Sequence, residues 1–227
     1  MLAGIAKLSL IDYPGKVCST VFLQGCNFRC SFCHNPELVN EEQKEKIPNK
    51  EFFDFLDTRK GLLDGVCITG GEPTIHSDLK EFIIEIKNKG FLVKLDTNGT
   101  NPEVLKELID ENLIDYIAMD IKTSIDNYEK VVNVKVDKEK IKKSVELIKN
   151  FPNYEFRTTL VPGLISKQDL IEMGEWLKGS KLYVLQQFIS DVKLVDPEYE
   201  KTKGYSNEEI VEFSKMLEPY FEKVNVR

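Results

Sequence analysis

Three of the five cysteines fall within eight residues, in the segment Gly25-Cys26-Asn27-Phe28-Arg29-Cys30-Ser31-Phe32-Cys33-His34. The spacing is C-x3-C-x2-C. Thiolates are soft ligands that suit iron–sulfur clusters and zinc. Four thiolates complete an ordinary four-iron cluster. Three local ones leave one iron open for a non-protein ligand, as a catalytic metal requires. Zinc held by Cys26, Cys30, Cys33 and His34 is a second reading, although short structural zinc sites usually pair two ligand clusters and no second one is visible. Residues 30–34 also match C-x-x-C-H, a c-type haem attachment pattern, but that chemistry belongs to exported proteins. Structural buried thiols are a further reading, disfavoured by a loop that also carries Gly25, Asn27 and Arg29. The odd cysteine count argues against a disulfide framework. Cys18 and Cys67 sit inside apolar runs and read as buried, inert thiols.

Other polar groups follow β-rich runs. Strands are expected at residues 17–23, 66–69, 91–95, 116–121, 156–161 and 182–188, all rich in Val, Ile, Phe, Tyr and Leu. Gly70-Gly71-Glu72-Pro73 follows the second run and Asp96-Thr97-Asn98-Gly99 the third. Asp120 and Lys122 close the fourth, Arg157 lies in the fifth, and Gln186 and Gln187 lie in the sixth. In parallel α/β sheets, ligands bind at the carboxyl ends of strands. Any one of these groups could instead be an ordinary strand-to-helix turn. The Gly-Gly-Glu-Pro turn and the Asp120/Lys122 pair favour function.

Amphipathic stripes lie between the strands: Leu79, Phe82, Ile83 and Ile86; Val104, Leu105, Leu108 and Ile109; Ile141, Val145 and Ile148; Ile210, Phe213 and Leu217. Pro102 after Asn101 suits a helix start. Ser166 with Asp169 and Ser206 with Glu209 fit capping boxes. Strands alternating with helices imply an α/β fold with a parallel sheet and outer helices. Residues 41–46 read as a charged connector, a loop or a helix start. No composition shift divides the 227 residues, so 1–227 reads as one domain.

The net charge of −7 disfavours duplex nucleic acid as a partner. No apolar run approaches the roughly 18 residues of a membrane span. The first residues lack the pattern of a signal peptide. The expectation is a cytoplasmic protein. His34 and His76 are the only histidines. No His/Asp/Ser triad is apparent, and His76 reads as a loop residue.

At its motifs the chain resembles the radical S-adenosylmethionine (SAM) superfamily. The cysteine loop after a first strand and the Gly70-Gly71-Glu72-Pro73 turn carry the resemblance. It implies a partial (β/α)6 barrel, a 4Fe–4S cluster on Cys26, Cys30 and Cys33, and SAM on the fourth iron. A narrower resemblance, to glycyl-radical-enzyme activases and their short anaerobic ribonucleoside-triphosphate reductase activating group, rests on four stretches. These are residues 8–16, Phe22-Leu23-Gln24-Gly25 with the cysteine loop, His34-Asn35-Pro36-Glu37-Leu38, and Leu185-Gln186-Gln187-Phe188. Met119-Asp120-Ile121-Lys122 resembles the activases' fourth-strand motif.

The resemblance implies roles. Phe32 and His34 flank adenine. Gly70, Gly71 and Glu72 approach the SAM amino group. Lys122 meets the SAM carboxylate, with Arg157 as a second candidate. Asn98, Ile121 and Gln187 complete the SAM surroundings. Asp96, Thr97 and Asp120 match a monovalent-cation site. Where the pyruvate formate-lyase activases carry a histidine at the end of the sixth strand, Phe188 stands here.

The implied reaction is reductive cleavage of SAM and abstraction of hydrogen from a glycine of a partner enzyme, which keeps the radical. Flavodoxin or ferredoxin would supply the electron, and anaerobic ribonucleotide reductase is one fitting partner. Two alternatives stand beside it: a small-molecule radical SAM enzyme resembling 7-carboxy-7-deazaguanine synthase, and a non-catalytic zinc or electron-transfer protein.

Overall fold

In a computed structural model, residues 1–39 and 46–227 are described. Of the charged connector expected at 41–46, residues 41–45 lie outside them. The strands are β1 (Leu2–Ser9), β2 (Cys18–Leu23), β3 (Gly65–Gly70), β4 (Leu92–Thr97), β5 (Tyr116–Asp120), β6 (Tyr154–Leu160), β7 (Ser180–Gln187) and β8 (Phe221–Val226). The helices are α1 (Pro36–Val39), α2 (Asn49–Asp57), α3 (Leu79–Asn88), α4 (Pro102–Asp110), α5 (Tyr128–Val132), α6 (Lys138–Lys149), α7 (Lys167–Trp176) and α8 (Asn207–Leu217).

Among the described residues, the strands follow one another in sheet order from β1 to β8, with β1 and β8 at the two edges. It is the α/β, partial-barrel topology that alternating strands and helices imply. The six expected strands are β2 to β7. β1 and β8 are additional. β1 is antiparallel to β2, with register irregularities on either side of Gly4–Ala6. Its sequence Leu2-Ala3-Gly4-Ile5-Ala6-Lys7 has no strict alternation and little β-branched content, which hid it. β8 alternates Lys223, Val224, Asn225 and Val226 only weakly.

The chain forms two compact units. The first comprises residues 1–27, 37–97 and 101–117. Within it β2 pairs with β3 and β3 with β4, all parallel. Phe52, Phe82, Ile83 and Ile86 bury the inner stripes of α2 and α3, and the Phe52 and Phe82 rings stack at 5.7 Å. Pro102 opens α4 at its first turn, as expected.

The second unit comprises residues 28–36, 98–100 and 118–227. Within it β6 pairs with β7 and β7 with β8, again parallel. The stripe Ile141, Val145, Ile148 of α6 and the stripe Ile210, Phe213, Leu217 of α8 are buried. Both capping boxes form, Ser166 with Asp169 and Ser206 with Glu209. Each satisfies two amide donors that a helix start leaves orphaned.

Candidate active site

In the first unit, β2 delivers Gly25 and Cys26 at its carboxyl end. The Gly25 N–H donates to Leu38 O at 2.9 Å, and Glu72 N–H donates to Gly25 O at 2.8 Å. Gly71 N–H donates to Leu23 O at 2.8 Å. These bonds explain the paired glycines. A Cβ on Gly71 would lie 1.8 Å from Gly25 O, and one on Gly70, whose φ is +115°, would lie 2.3 Å from Leu23 N. Only residues without a side chain let the β3 turn press against the start of the cysteine loop.

Glu72 is buried and acts within the turn. Its Oε1 accepts from Thr74 N (3.0 Å), Thr74 Oγ1 (2.5 Å) and Thr97 Oγ1 (2.8 Å). It thus ties the turn after β3 to the end of β4. His76 Nε2 lies 2.8 Å from Gln24 O; burial lowers its pKa. Asp96 is paired with Lys94, whose side chain is only 1% exposed. Both expected carboxylate and threonine oxygens on this strand, Asp96 Oδ1 and Thr97 Oγ1, therefore already have partners within the chain.

In the second unit, Cys30 is buried and Cys33 half-buried. A turn closes between them, Cys33 N–H donating to Cys30 O at 3.1 Å. The segment after β7 runs alongside: Val195 N–H donates to Cys33 O (3.2 Å) and Asp196 N–H to Ser31 O (2.9 Å). Arg29 N–H donates to Val132 O at 2.9 Å, and Asn133 Nδ2 to Arg29 O and Ser31 Oγ, both at 2.9 Å. Phe32 is buried, and the exposed His34 imidazole stacks on Phe188, centroids 6.1 Å apart. The residue that departs from the activase pattern thus supports one that follows it.

At the end of β5, Asp120 holds two cations. Arg157 Nε donates to Oδ1 at 2.8 Å and Lys122 Nζ to Oδ2 at 3.1 Å. Burial alone would raise the Asp120 carboxyl, but the charges of Arg157 and Lys122 outweigh it and hold the group ionised well below the usual range. Burial likewise opposes the Lys122 ammonium, and Asp120, Cys30 and Cys33 outweigh that, so its pKa is raised. Lys122 is therefore a fixed cation at the end of β5. Ile121 is fully buried; its N–H donates to Arg157 O at 2.8 Å and its carbonyl accepts from Thr158 Oγ1 at 2.7 Å. Asn98 closes a local turn, its Oδ1 accepting from Thr100 N (3.1 Å) and Thr100 Oγ1 (2.7 Å).

Strand register separates the two glutamines. Arg157 pairs with Val184 and Thr159 with Gln186. Side chains alternate along a strand, so Gln186 shares the face of Arg157 and Asp120, whereas Gln187 points the other way and donates to Tyr205 O at 3.3 Å.

Sequence reasoning missed several contributors. Glu155 is fully buried and takes a bidentate pair from Arg227, at 2.9 and 2.8 Å. It also lies 4.0 Å from Arg157 Nη1. Charges therefore alternate along Lys122, Asp120, Arg157, Glu155 and Arg227. Asp169 is more than a cap: it also accepts from Ser124 Oγ (2.7 Å), Asn127 Nδ2 (2.7 Å) and Thr123 Oγ1 (3.4 Å). The available signal was charge at alternate positions of otherwise apolar strands, as in Glu155/Arg157 and Lys94/Asp96.

None of the five cysteines forms a disulfide. Among the described residues, no group of three or more His, Cys, Asp or Glu gathers around a single ion position. The donor chemistry, three thiols on one loop, fits a soft-metal or iron–sulfur group.

The Radical SAM superfamily profile matches residues 20–177. A protein of Methanocaldococcus jannaschii, named for the glycyl-radical enzyme activating enzymes, is 38% identical over 236 residues, covering 100% of this chain and 95% of the relative. The pyruvate formate-lyase-activating enzyme of Streptococcus mutans is 30% identical over 185 residues, covering 75% of this chain and 69% of that one. The structure of Streptococcus suis SuiB bound to S-adenosylmethionine is similar in fold, with a TM-score of 0.65 at 15% identity over 92% of this chain and 51% of that one. The chain belongs to the radical SAM superfamily and, within it, to the glycyl-radical-enzyme activating enzyme family.

Proposed function

We propose that this protein reductively cleaves SAM and places a radical on a glycine of a partner enzyme. The observation that carries the reading is the Lys122 ammonium, held beside Arg157 on the Asp120 carboxylate at the end of β5, in a chain that carries the three-cysteine loop. In this reading Cys26, Cys30 and Cys33 hold three irons of a 4Fe–4S cluster. The bound cluster and SAM supply a carbon radical able to remove hydrogen from glycine.

The chain's own residues then bind and orient. Lys122 forms a charge-assisted contact with the SAM carboxylate. Asp120 keeps Lys122 charged, and Arg157 keeps Asp120 ionised. Phe32 and the His34–Phe188 stack offer apolar and aromatic surface for adenine. Carbonyls of the Gly70–Gly71 turn serve the SAM amino group, which donates and so needs acceptors, while the Gly71 and Glu72 N–H groups are used on Leu23 and Gly25.

The partner is a glycyl-radical enzyme, with anaerobic ribonucleotide reductase as the first to try. A flavodoxin or ferredoxin supplies the electron. The M. jannaschii relative, named for this activity and matched along its length, supports the partner class.

The test is anaerobic cluster reconstitution and reduction, then electron paramagnetic resonance with and without SAM. A four-iron signal that changes on SAM addition, and a glycyl signal once the partner is added, are expected. A zinc-bound, iron-free protein indifferent to SAM overturns the reading.

A further inference from the structure

We infer that Arg227 is a positioning residue: by occupying Glu155 it leaves Arg157 on Asp120, and so sets the Lys122 ammonium from across the sheet. All five residues lie in the second unit. β6 carries Glu155 and Arg157 two positions apart, so both side chains leave the same face of the strand. Arg227 reaches that face across β7, its backbone hydrogen-bonded to Leu185 and Gln187 of that strand.

Arg157 stands between two carboxylates. Its Nε donates to Asp120 Oδ1 at 2.8 Å, whereas its Nη1 is 4.0 Å from Glu155 Oε1, beyond hydrogen-bond range. Glu155 has the greater need of a cation. Its side chain is fully buried, while that of Asp120 is 30% exposed. A buried carboxylate left without a partner is far costlier than one that water reaches. Arg227 meets that need with one hydrogen bond to each Glu155 oxygen, at 2.9 and 2.8 Å.

Without Arg227, a shift of about 1 Å carries Arg157 Nη1 into hydrogen-bond range of Glu155. The same shift draws Nε away from Asp120. Asp120 then turns to its other cation, Lys122, whose Nζ is 3.1 Å from Oδ2. Arg157 is thus an element with two arrangements, and Arg227 biases which one is populated. A two-position element of this kind is what physical coupling between distant groups requires. In the activase reading Lys122 serves the SAM carboxylate, and an ammonium pulled tighter onto Asp120 serves it less well. That consequence rests on the proposed reading; the placement of Arg157 does not.

The chain has four arginines, Arg29, Arg59, Arg157 and Arg227, so labelling with 15N-arginine leaves few side-chain Nε–H resonances to follow. The experiment records them on the full-length chain, reconstituted anaerobically, left unreduced and free of SAM. Arg157→Lys identifies the Arg157 signal. In the unaltered chain that signal should exchange slowly with solvent, because Nε is bonded to Asp120 and the side chain is 12% exposed. Arg227→Met should shift the signal and speed its exchange, leaving those of Arg29 and Arg59 in place. Adding Glu155→Gln should return it. Arg227→Lys keeps a charge and loses the two-pronged grip, so it should give an intermediate position; it also serves if the methionine variant does not fold. SAM affinity, by calorimetry, should fall roughly 3- to 30-fold in Arg227→Met and recover in the double variant.

Lower thermal stability with an unmoved Arg157 signal overturns the inference, since a purely structural Arg227 gives that result. A shift that persists unchanged in the double variant overturns it too, as does a shifted signal with SAM affinity intact. If the unaltered chain ignores SAM, the activase reading fails, and the Arg157 signal still decides where Arg227 holds that side chain. If SAM binds and the signal does not move, the inference fails and the activase reading stands.

Discussion

Lys122 is the residue on which the proposed chemistry turns, and its environment sets what its loss should do. It is held by one carboxylate, Asp120, which Arg157 also holds. Losing a hydrogen bond to a charged group costs roughly 1.5–3 kcal/mol. Lys122→Ala should therefore weaken SAM binding by roughly 10- to 100-fold, measured by titration calorimetry on the reconstituted protein, with iron content unchanged. Unaltered affinity removes Lys122 from the SAM surroundings. Cys30→Ala should behave differently: iron per chain falls and SAM cleavage stops. Full iron content with turnover in that variant would sink the cluster assignment. Asp120→Asn separates the two effects, since it keeps the shape and removes the charge that fixes Lys122; SAM affinity should fall while iron content holds.

At the scale of elements, the turns matter more than the strands. Gly71 is pressed against Gly25, whose next residue is Cys26. Gly71→Ala cannot be accommodated without moving one of two backbones, so overpacking of about 1–3 kcal/mol or more is expected. Cluster loading should fall with it, read as iron per folded chain. The start of α7 is a second such joint. Asp169 accepts from Ser166 N and Oγ at 2.9 and 2.5 Å and from Ser124 and Asn127 of the segment after Lys122. Burial would raise its pKa, but hydrogen bonds from Ser166, Ser124 and Asn127 prevail and bring it from 3.8 down to about 2. A carboxyl depressed on folding contributes stability above its unfolded pKa and loses it as pH falls toward the folded one. Urea midpoints should therefore fall from about pH 4 to pH 2, and Asp169→Asn should flatten that part of the profile. An unchanged slope in the variant would mean other carboxylates carry it.

At the scale of the whole molecule, the second unit is tied across its sheet by charge. Glu155 on β6 is fully buried, and Arg227, just beyond β8, meets it with two hydrogen bonds across the intervening β7. Removing one member of a buried pair costs about 3–5 kcal/mol because the other charge stays behind. Arg157 Nη1, 4.0 Å from Glu155, should soften that loss. Arg227→Met should lower the Tm by several degrees, at roughly 2–4 °C per kcal/mol for a chain of this size. The double variant with Glu155→Gln should recover part of the loss. Additive losses in that cycle would show that the two side chains are not coupled.

Much of this protein is written locally. Six buried strands, four amphipathic stripes and two capping boxes follow from period and cap chemistry, which depend on residues a few positions apart. The three-cysteine spacing and the Gly-Gly-Glu-Pro turn are legible for the same reason. β1 escaped because its pattern carries no strict alternation, and its pairing is irregular on either side of Gly4–Ala6. Side-chain partnership across strands is a different matter. That Lys94 meets Cys67, that Glu155 meets Arg227 across seventy-two positions, and that Gln186 rather than Gln187 shares the face of Arg157 are set by strand register. Register follows from burying one whole face of a sheet, a condition that no short stretch of sequence states. The sequence by itself determined which chemistry the chain carries; the tertiary structure decided which charges face one another around it.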